Sequence, residues 1–183
     1  MANMPAPVRK CSMSEILVVY YSRKGENYMP GGLQFLEKGH TGRAAEYIQK
    51  ALNADIFEID TVEAYPASYR DCCRQAVAEL KANARPALAA YPEDISGYDT
   101  LFVCYPCWAD TAPMCVFSFL EHYELSGKRI IPLCTNGGSD IERSVQDIKA
   151  SSPGATVLPG LSVLGHEVID SRELIQAWAK AQI

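Results

Sequence analysis

"VCYPCWADTAPM", residues 103–114, decides how the rest of the chain reads. It is the outlet of "YDTLFVCY" (98–105), a short apolar run rich in β-branched and aromatic residues. That pattern belongs to a strand buried on both faces of a parallel sheet. Pro106 then prevents a helix from starting at once, and the next helical signal waits for Pro113, a residue suited to a first helical turn. Residues 105–113 are therefore a loop leaving the carboxyl end of a central strand, and it carries Tyr105, Pro106 and Trp108.

The same stretch places Cys104 and Cys107 two residues apart. A redox dithiol of the thioredoxin kind needs its first cysteine at a helix N-terminus, where the dipole lowers the thiol pKa. Cys104 instead ends a strand. A structural zinc needs two more ligands at matched spacing; Cys115 and Cys134 stand singly, and His40, His122 and His166 show no paired spacing. The reading is that Cys104 packs in the core, that Cys107 lies beside the ligand of the loop, and that no metal is bound. Cys72-Cys73, on a helix, read as packing residues.

Working outward, "EILVVYYS" (15–22) and "KRIIPLC" (128–134) are further apolar strands, "ADIFEID" (54–60) alternates as a strand, and "TVLPGLSVL" (156–164) is a last strand region broken by Pro159-Gly160. Helices are expected over 41–53 with Thr41 as cap, 68–84, 113–125, 139–152 with Ser139 and Glu142 at capping-box spacing, and 171–182. Between the first strand and helix, "RKGENYMPGGLQFLEKGH" (23–40) reads as an unusually long loop. Tyr28, Leu33, Phe35 and Leu36 are apolar for an exposed loop, so residues 24–38 are expected to serve as a lid or docking surface, or to pack on the sheet edge. Strands and helices alternate throughout, which means parallel strands with crossover helices on both faces.

The bulk numbers agree with one compact domain over 15–183, preceded by a leader, 1–14, expected to be poorly ordered. The chain has 183 residues, 48% hydrophobic and 21% charged, with a formal net charge of -5. That balance gives no electrostatic reason to bind nucleic acid. No apolar run approaches the ~20 residues that span a bilayer, and the start lacks the apolar segment of a secretory signal. Seven cysteines cannot all pair within one chain; with no export signal, reduced thiols and a cytoplasmic location are expected.

In an open α/β sheet, ligands bind outside the carboxyl ends of the strands. Three loops leave such ends with unusual composition. The first, Ser22-Arg23 and then Gly39-His40-Thr41, feeds a helix N-terminus, whose free N–H groups suit a phosphate. The second is 105–113, whose aromatics offer faces to a planar ligand. The third is "TNGGSD" (135–140), where Gly137-Gly138 bare the backbone. Singly, each has a plainer reading: a helix cap, a core Trp, a flexible turn. Together they describe a mononucleotide of flavin type.

These loops, "YSR…KGHT" (21–23 and 38–41), "YPCWADTAPM" (105–114) and "TNGGSD" (135–140), resemble the "YSRTGNT", "YPIWWGTAPM" and "TSGGSG" loops of the flavodoxin-like family, short-chain branch. The likeness runs from about Glu15 to the C-terminus. The resemblance implies a three-layer α/β/α sandwich around a five-stranded parallel sheet of order 2-1-3-4-5; that order is the family's own and follows from no spacing in this chain. It implies FMN, held noncovalently and used in electron transfer. By position, Ser22, Lys38, Gly39, His40 and Thr41 would hold the phosphate, with Arg23 a residue of that loop. Tyr105, Pro106, Cys107, Trp108 and Ala109 would line one side of the isoalloxazine, and Thr135, Asn136, Gly137 and Gly138 the other.

Three departures matter. The phosphate loop is split by the insert. His40 stands where Asn is usual; a phosphate dianion beside it favours the imidazolium, so FMN affinity is expected to weaken between about pH 6 and 8, unless His40 is exposed and touches nothing. Ala109-Asp110 replaces Trp-Gly, and a carboxylate facing the ring would lower its potential. Two functions stay open: an electron carrier between partner proteins, or an FMN-dependent NAD(P)H oxidoreductase of small acceptors such as quinones. The mild charge and the insert favour the enzyme, and the lack of a nicotinamide fingerprint favours the carrier. A flavodoxin fold without FMN is the third reading, prompted by the split loop.

Overall fold

The computed structural model describes residues 15–183; the expected leader, 1–14, lies outside the described residues. In chain order the elements are β1 (Ile16–Tyr20), β2 (Gly25–Met29), β3 (Gly32–Leu36), α1 (His40–Leu52), β4 (Asp55–Glu58), α2 (Tyr69–Ala82), β5 (Thr100–Pro106), α3 (Met114–Leu120), β6 (Arg129–Asn136), α4 (Glu142–Ala150), β7 (Thr156–Val157), β8 (Leu161–Leu164), a 3-10 turn (Gly165–Glu167) and α5 (Arg172–Ala181).

The main sheet runs β4-β1-β5-β6-β7, with β8 also paired to β6, and every pairing is parallel. This is the order 2-1-3-4-5 of the resemblance, with its last strand broken in two. The break falls at Pro159-Gly160. There a Cβ on Gly160 would come within 2.7 Å of the Pro132 carbonyl oxygen and of Ile141 Cδ1, so the chain passes β6 too closely for any side chain.

Strand side chains alternate between faces, and the core divides accordingly. Leu17, Val19, Leu101, Val103, Tyr105, Ile130 and Cys134 point to one face, where α3 and Ile148 of α4 cover them. Val18, Phe102, Cys104, Ile131 and Leu133 point to the other, against Ala44, Ala45 and Ile48 of α1 and Ile175 and Ala179 of α5. All seven residues of α3 are buried. Each fully buried Leu, Val or Phe there contributes roughly 1.5–3 kcal/mol.

Several expected boundaries moved. Residues 24–38 are not an irregular loop: β2 and β3 form a separate antiparallel hairpin, turned at Pro30-Gly31, with Tyr28 opposite Leu33 and Glu26 opposite Phe35. Helix α3 stops at Leu120 rather than near 125, because the following residues have partners elsewhere. Glu121 takes both arms of the Arg85 guanidinium at 2.7 Å, and His122 stacks on Tyr91 at 3.8 Å. Ser139 does not cap α4. The N-cap is Ile141, and Asp140 Oδ1 accepts from Glu142 N–H at 3.0 Å instead.

The N-cap of α1 lies two residues earlier than expected, at Gly39 rather than Thr41, and Gly39 has no side chain to cap with. The cap comes from a distance: Ser22 Oγ, just past β1, accepts from Gly42 N–H at 2.9 Å. Gly39 is required there by space and not by torsion. A Cβ on it would stand 2.2 Å from the Arg23 carbonyl oxygen and 2.4 Å from Ser22 Oγ. Gly39→Ala should therefore push the β1 loop off α1 and cost about 1–3 kcal/mol in urea denaturation; an unchanged midpoint would contradict this packing.

Candidate functional site

Above the carboxyl ends of β1, β5 and β6 lies a cavity of about 470 Å³. Its floor is the start of α1. Ser22 occupies the Gly42 N–H, so His40 and Thr41 are left with backbone N–H groups that meet no acceptor among the described residues. The helix dipole concentrates partial positive charge at that point.

One residue joins the three loops. Thr135, near the end of β6, has a buried hydroxyl 2.6 Å from the Thr41 hydroxyl, which ties the third loop to the first. Its carbonyl accepts from Cys107 N–H at 2.8 Å, which ties it to the second. The third loop is fixed in turn by Asn136, whose side chain accepts from Gly138 N–H and donates to Ser162 Oγ, both at 2.8 Å.

The middle loop is a tight reversal. Trp108 and Thr111 exchange backbone hydrogen bonds of 2.8 and 3.1 Å, with Ala109 (φ 49°) and Asp110 (φ 66°) left-handed between them. Two successive left-handed residues make a type I′ turn. The turn sets Trp108 against the edges of Tyr21 and Tyr65, at 5.2 and 4.9 Å between centroids, with its remaining surface on the cavity. Asp110 is exposed and lies outside the cavity wall, so the expected effect of a carboxylate facing a bound ring has no geometric basis.

Cys104 and Cys107 point to opposite faces of β5. Cys104 is fully buried against α1 and α5, while Cys107 packs on the other face and lines the cavity. A spacing of three along a strand forces this separation, and the two sulfurs form no dithiol. All six described cysteines are free, and no described cluster of His, Cys, Asp and Glu could hold a metal.

His40 sits between the hairpin and the 3-10 turn. Its Nε2 lies 3.1 Å from Met29 Sδ, its Nδ1 is buried with no partner, and a Cβ on Gly165 would come within 3.0 Å of its ring. Burial, then the charges of Arg43 and His166, hold its pKa below the usual imidazole value. It is not the exposed, untouched histidine of the plainer reading.

Of the residues singled out in the sequence, Arg23, His40, Thr41, Pro106, Cys107, Trp108, Ala109, Thr135, Asn136 and Gly137 line this cavity. Five do not. Tyr105 turns into the core, its hydroxyl 2.9 Å from Ser144 Oγ. Lys38 pairs with Glu46 on the flank of α1. Ser22 and Gly39 shape the helix start from beneath, and Gly138 closes the Asn136 turn. Arg23, though on the wall, is 5% exposed and donates to the carbonyls of Glu26, Pro66 and Ala67 at 2.8, 3.1 and 2.9 Å; it anchors the base of the hairpin.

The rest of the wall comes from Ser139 of the third loop and from three elements that carry no site assignment in the sequence. The hairpin, expected only as a lid or docking surface, contributes Asn27, Tyr28, Met29 and Pro30; α2 contributes Tyr69, Cys72, Cys73, Ala76 and Val77; the 3-10 turn contributes Gly165 and His166. The Pro-Gly pair between two short apolar runs was the available hairpin signal. Nothing in the sequence of α2 marks it as a wall.

No curated protein matches the chain. Among solved structures, a candidate flavoprotein from Bacteroides eggerthii is 28% identical, with 92% of this chain and 97% of that one covered and a TM-score of 0.73. One from Bacteroides uniformis is 27% identical, with 91% and 98% covered and a TM-score of 0.74. A flavoprotein from Lactobacillus acidophilus, solved in complex with FMN, shares the fold at 18% identity, with 87% and 99% covered and a TM-score of 0.64. The flavodoxin family model matches residues 33–182, from β3 to the end of α5, and the chain belongs to the flavodoxin family.

Proposed function

We propose that the protein binds FMN noncovalently in this cavity and carries electrons between partner proteins. The observation that carries the reading is the convergence of the three loops, through Thr135, on one cavity whose floor is an open helix N-terminus. The cavity is within the roughly 300–1,000 Å³ usual for small-molecule sites.

The donor set fits a phosphorylated planar group. The free N–H groups of His40 and Thr41 and the Thr41 hydroxyl suit the phosphate. The orphaned Nδ1 of His40 is a buried polar atom in want of a partner. Trp108 and Cys107 offer a face to the ring. Gly137, with nothing within 4 Å of where a Cβ would stand, leaves room for the backbone to approach. When bound, FMN supplies the redox chemistry that these side chains lack; the protein binds it, orients it and limits its access to water. The odd cysteine count favours a reducing, cytoplasmic setting. No helix among the described residues is long and apolar enough to cross a membrane.

A second reading, an FMN-dependent oxidoreductase of small acceptors such as quinones with NAD(P)H, is favoured by the hairpin and α2. Tyr28 and Tyr69 face each other at 6.3 Å, and with Ala76 and Val77 they add an apolar wall that belongs to none of the three loops. Titrating the purified protein with FMN should give one-to-one quenching of flavin fluorescence. Bleaching by NADH or NADPH alone then selects the enzyme, and bleaching that needs a reductase protein selects the carrier. Absence of binding at any FMN concentration overturns both.

His40 gives this binding a pH dependence. With Nε2–H on Met29, Nδ1 carries a lone pair, so donating to phosphate requires protonation. Without ligand the pKa is held below its usual value, and a dianion raises it. Binding should take up a proton and weaken as pH rises from about 6 to 8, as read from FMN dissociation constants. His40→Gln should flatten the profile; a flat wild-type profile would contradict the assignment.

A further inference from the structure

Met29, at the tip of the hairpin, is half-buried and lines the cavity, and its sulfur lies 3.1 Å from Nε2 of His40. A thioether accepts and cannot donate. Nε2 therefore carries the hydrogen of this contact, and Nδ1, buried with no partner, is left bare. The sulfur thus selects the tautomer of a ring that stands at the start of α1. The charged groups acting on that ring are Arg43 of its own helix and His166 of the 3-10 turn. Both, with burial, favour its neutral form, so the tautomer decides which nitrogen can donate.

Two methionines lie among the described residues, and their settings differ. Met114 is buried within α3, whereas Met29 is reached from the cavity. Oxidation converts a thioether into a polar sulfoxide, whose positively polarised sulfur is a poor acceptor. One sulfur lone pair is engaged by the His40 N–H, so an oxidant meets the other.

We propose that Met29 is an oxidation site at which hydrogen peroxide places one oxygen on the sulfur, and that this transfer moves the His40 hydrogen from Nε2 to Nδ1. The open lone pair of the sulfur attacks one peroxide oxygen. An S–O bond forms as the O–O bond breaks. The departing hydroxide takes up, through solvent, the proton of the attacked oxygen and leaves as water. The sulfur loses two electrons, and peroxide is the whole oxidant. The polarised sulfur then faces the Nε2 lone pair, and Nδ1 holds the hydrogen it needs to donate. The consequence for the ligand, unlike the oxidation itself, rests on the proposed function: a neutral His40 could then donate to the FMN phosphate without first being protonated.

The test treats the flavin-free full chain with dilute hydrogen peroxide and maps oxygen uptake by peptide mass spectrometry. The peptide holding Met29 should gain one oxygen before that holding Met114. A single sulfoxide epimer should form, so that one of the two epimer-specific methionine sulfoxide reductases, acting on the digest, restores nearly all of Met29 and the other nearly none. His40→Phe, which frees both lone pairs, should give both epimers. NMR of the His40 ring nitrogens should show Nε2 protonated before treatment and Nδ1 after it. With FMN added at pH 8, the oxidised chain should bind about tenfold more tightly than the untreated one, the worth of a hydrogen bond to a charged group. Met29→Leu, with no acceptor at that place, should show the same gain without peroxide. Oxygen on Met114 first, an even mixture of epimers, an unmoved tautomer, or FMN binding that oxidation leaves unchanged would overturn the proposal. If FMN fails to bind while Met29 gains its oxygen and the ring responds, the flavin reading fails and the oxidation site stands.

Discussion

The site depends on two hydroxyl groups, those of Thr41 and Thr135, 2.6 Å apart in a buried position. A hydroxyl has one proton to give and can also accept. If Thr135 donates to Thr41, the Thr41 proton is free to point into the cavity, where the start of α1 offers two further N–H donors. The pair is thus a structural tie and, in the FMN reading, the second link of a donor chain that ends on phosphate. A neutral hydrogen bond of this kind contributes only about 1 kcal/mol net, but leaving one partner buried and unpaired costs about 1–3 kcal/mol. The β5–β6 pairing, which runs to Pro106 and Thr135, extends the tie to Cys107 and the aromatic loop.

Strand alternation explains much of the rest. It sends Tyr105 into the core beneath the loop while Cys107, two residues on, reaches the cavity from the same face, and it sends Cys104 to the opposite core. The motif that looks like a dithiol is therefore two cysteines with separate surroundings. The contact that fixes Cys107 comes from the next strand, where the Thr135 carbonyl accepts from its N–H at 2.8 Å, and that pairing appears only once the sheet register is known.

The parts of the fold legible in the sequence were those set by local pattern. Apolar runs gave the strands, and the break at Pro159-Gly160 divides the last one into β7 and β8 where it was expected. The three loops were legible because each combined a strand end with Gly, Pro or an aromatic. What could not be read depended on tertiary partners. Arg23 has no contact that the sequence can assign until its guanidinium is seen among three carbonyls. Lys38 resembles a phosphate ligand until Glu46 is placed beside it. Ser22 works from beneath, as a cap for a helix it precedes by a whole hairpin. Tyr105 differs: the alternation that runs from Leu101 through Val103 puts its side chain on the core face, against the place that the loop resemblance implies.

The hairpin enlarges the site without joining the main sheet. Arg23 and the Glu26–Ala67 backbone bond of 3.1 Å fix its base, while its tip reaches the cavity through Met29 on His40 and Tyr28 near Tyr69. The most direct test of the whole account is a double-mutant cycle on FMN affinity with Thr41→Val, Thr135→Val and the pair. Thr135→Val alone should weaken binding by about tenfold, or ~1.4 kcal/mol, and should cost little more once Thr41 is already Val. Additive losses, or a dissociation constant unmoved by Thr135→Val, would contradict the claim that this hydroxyl pair organises the cavity.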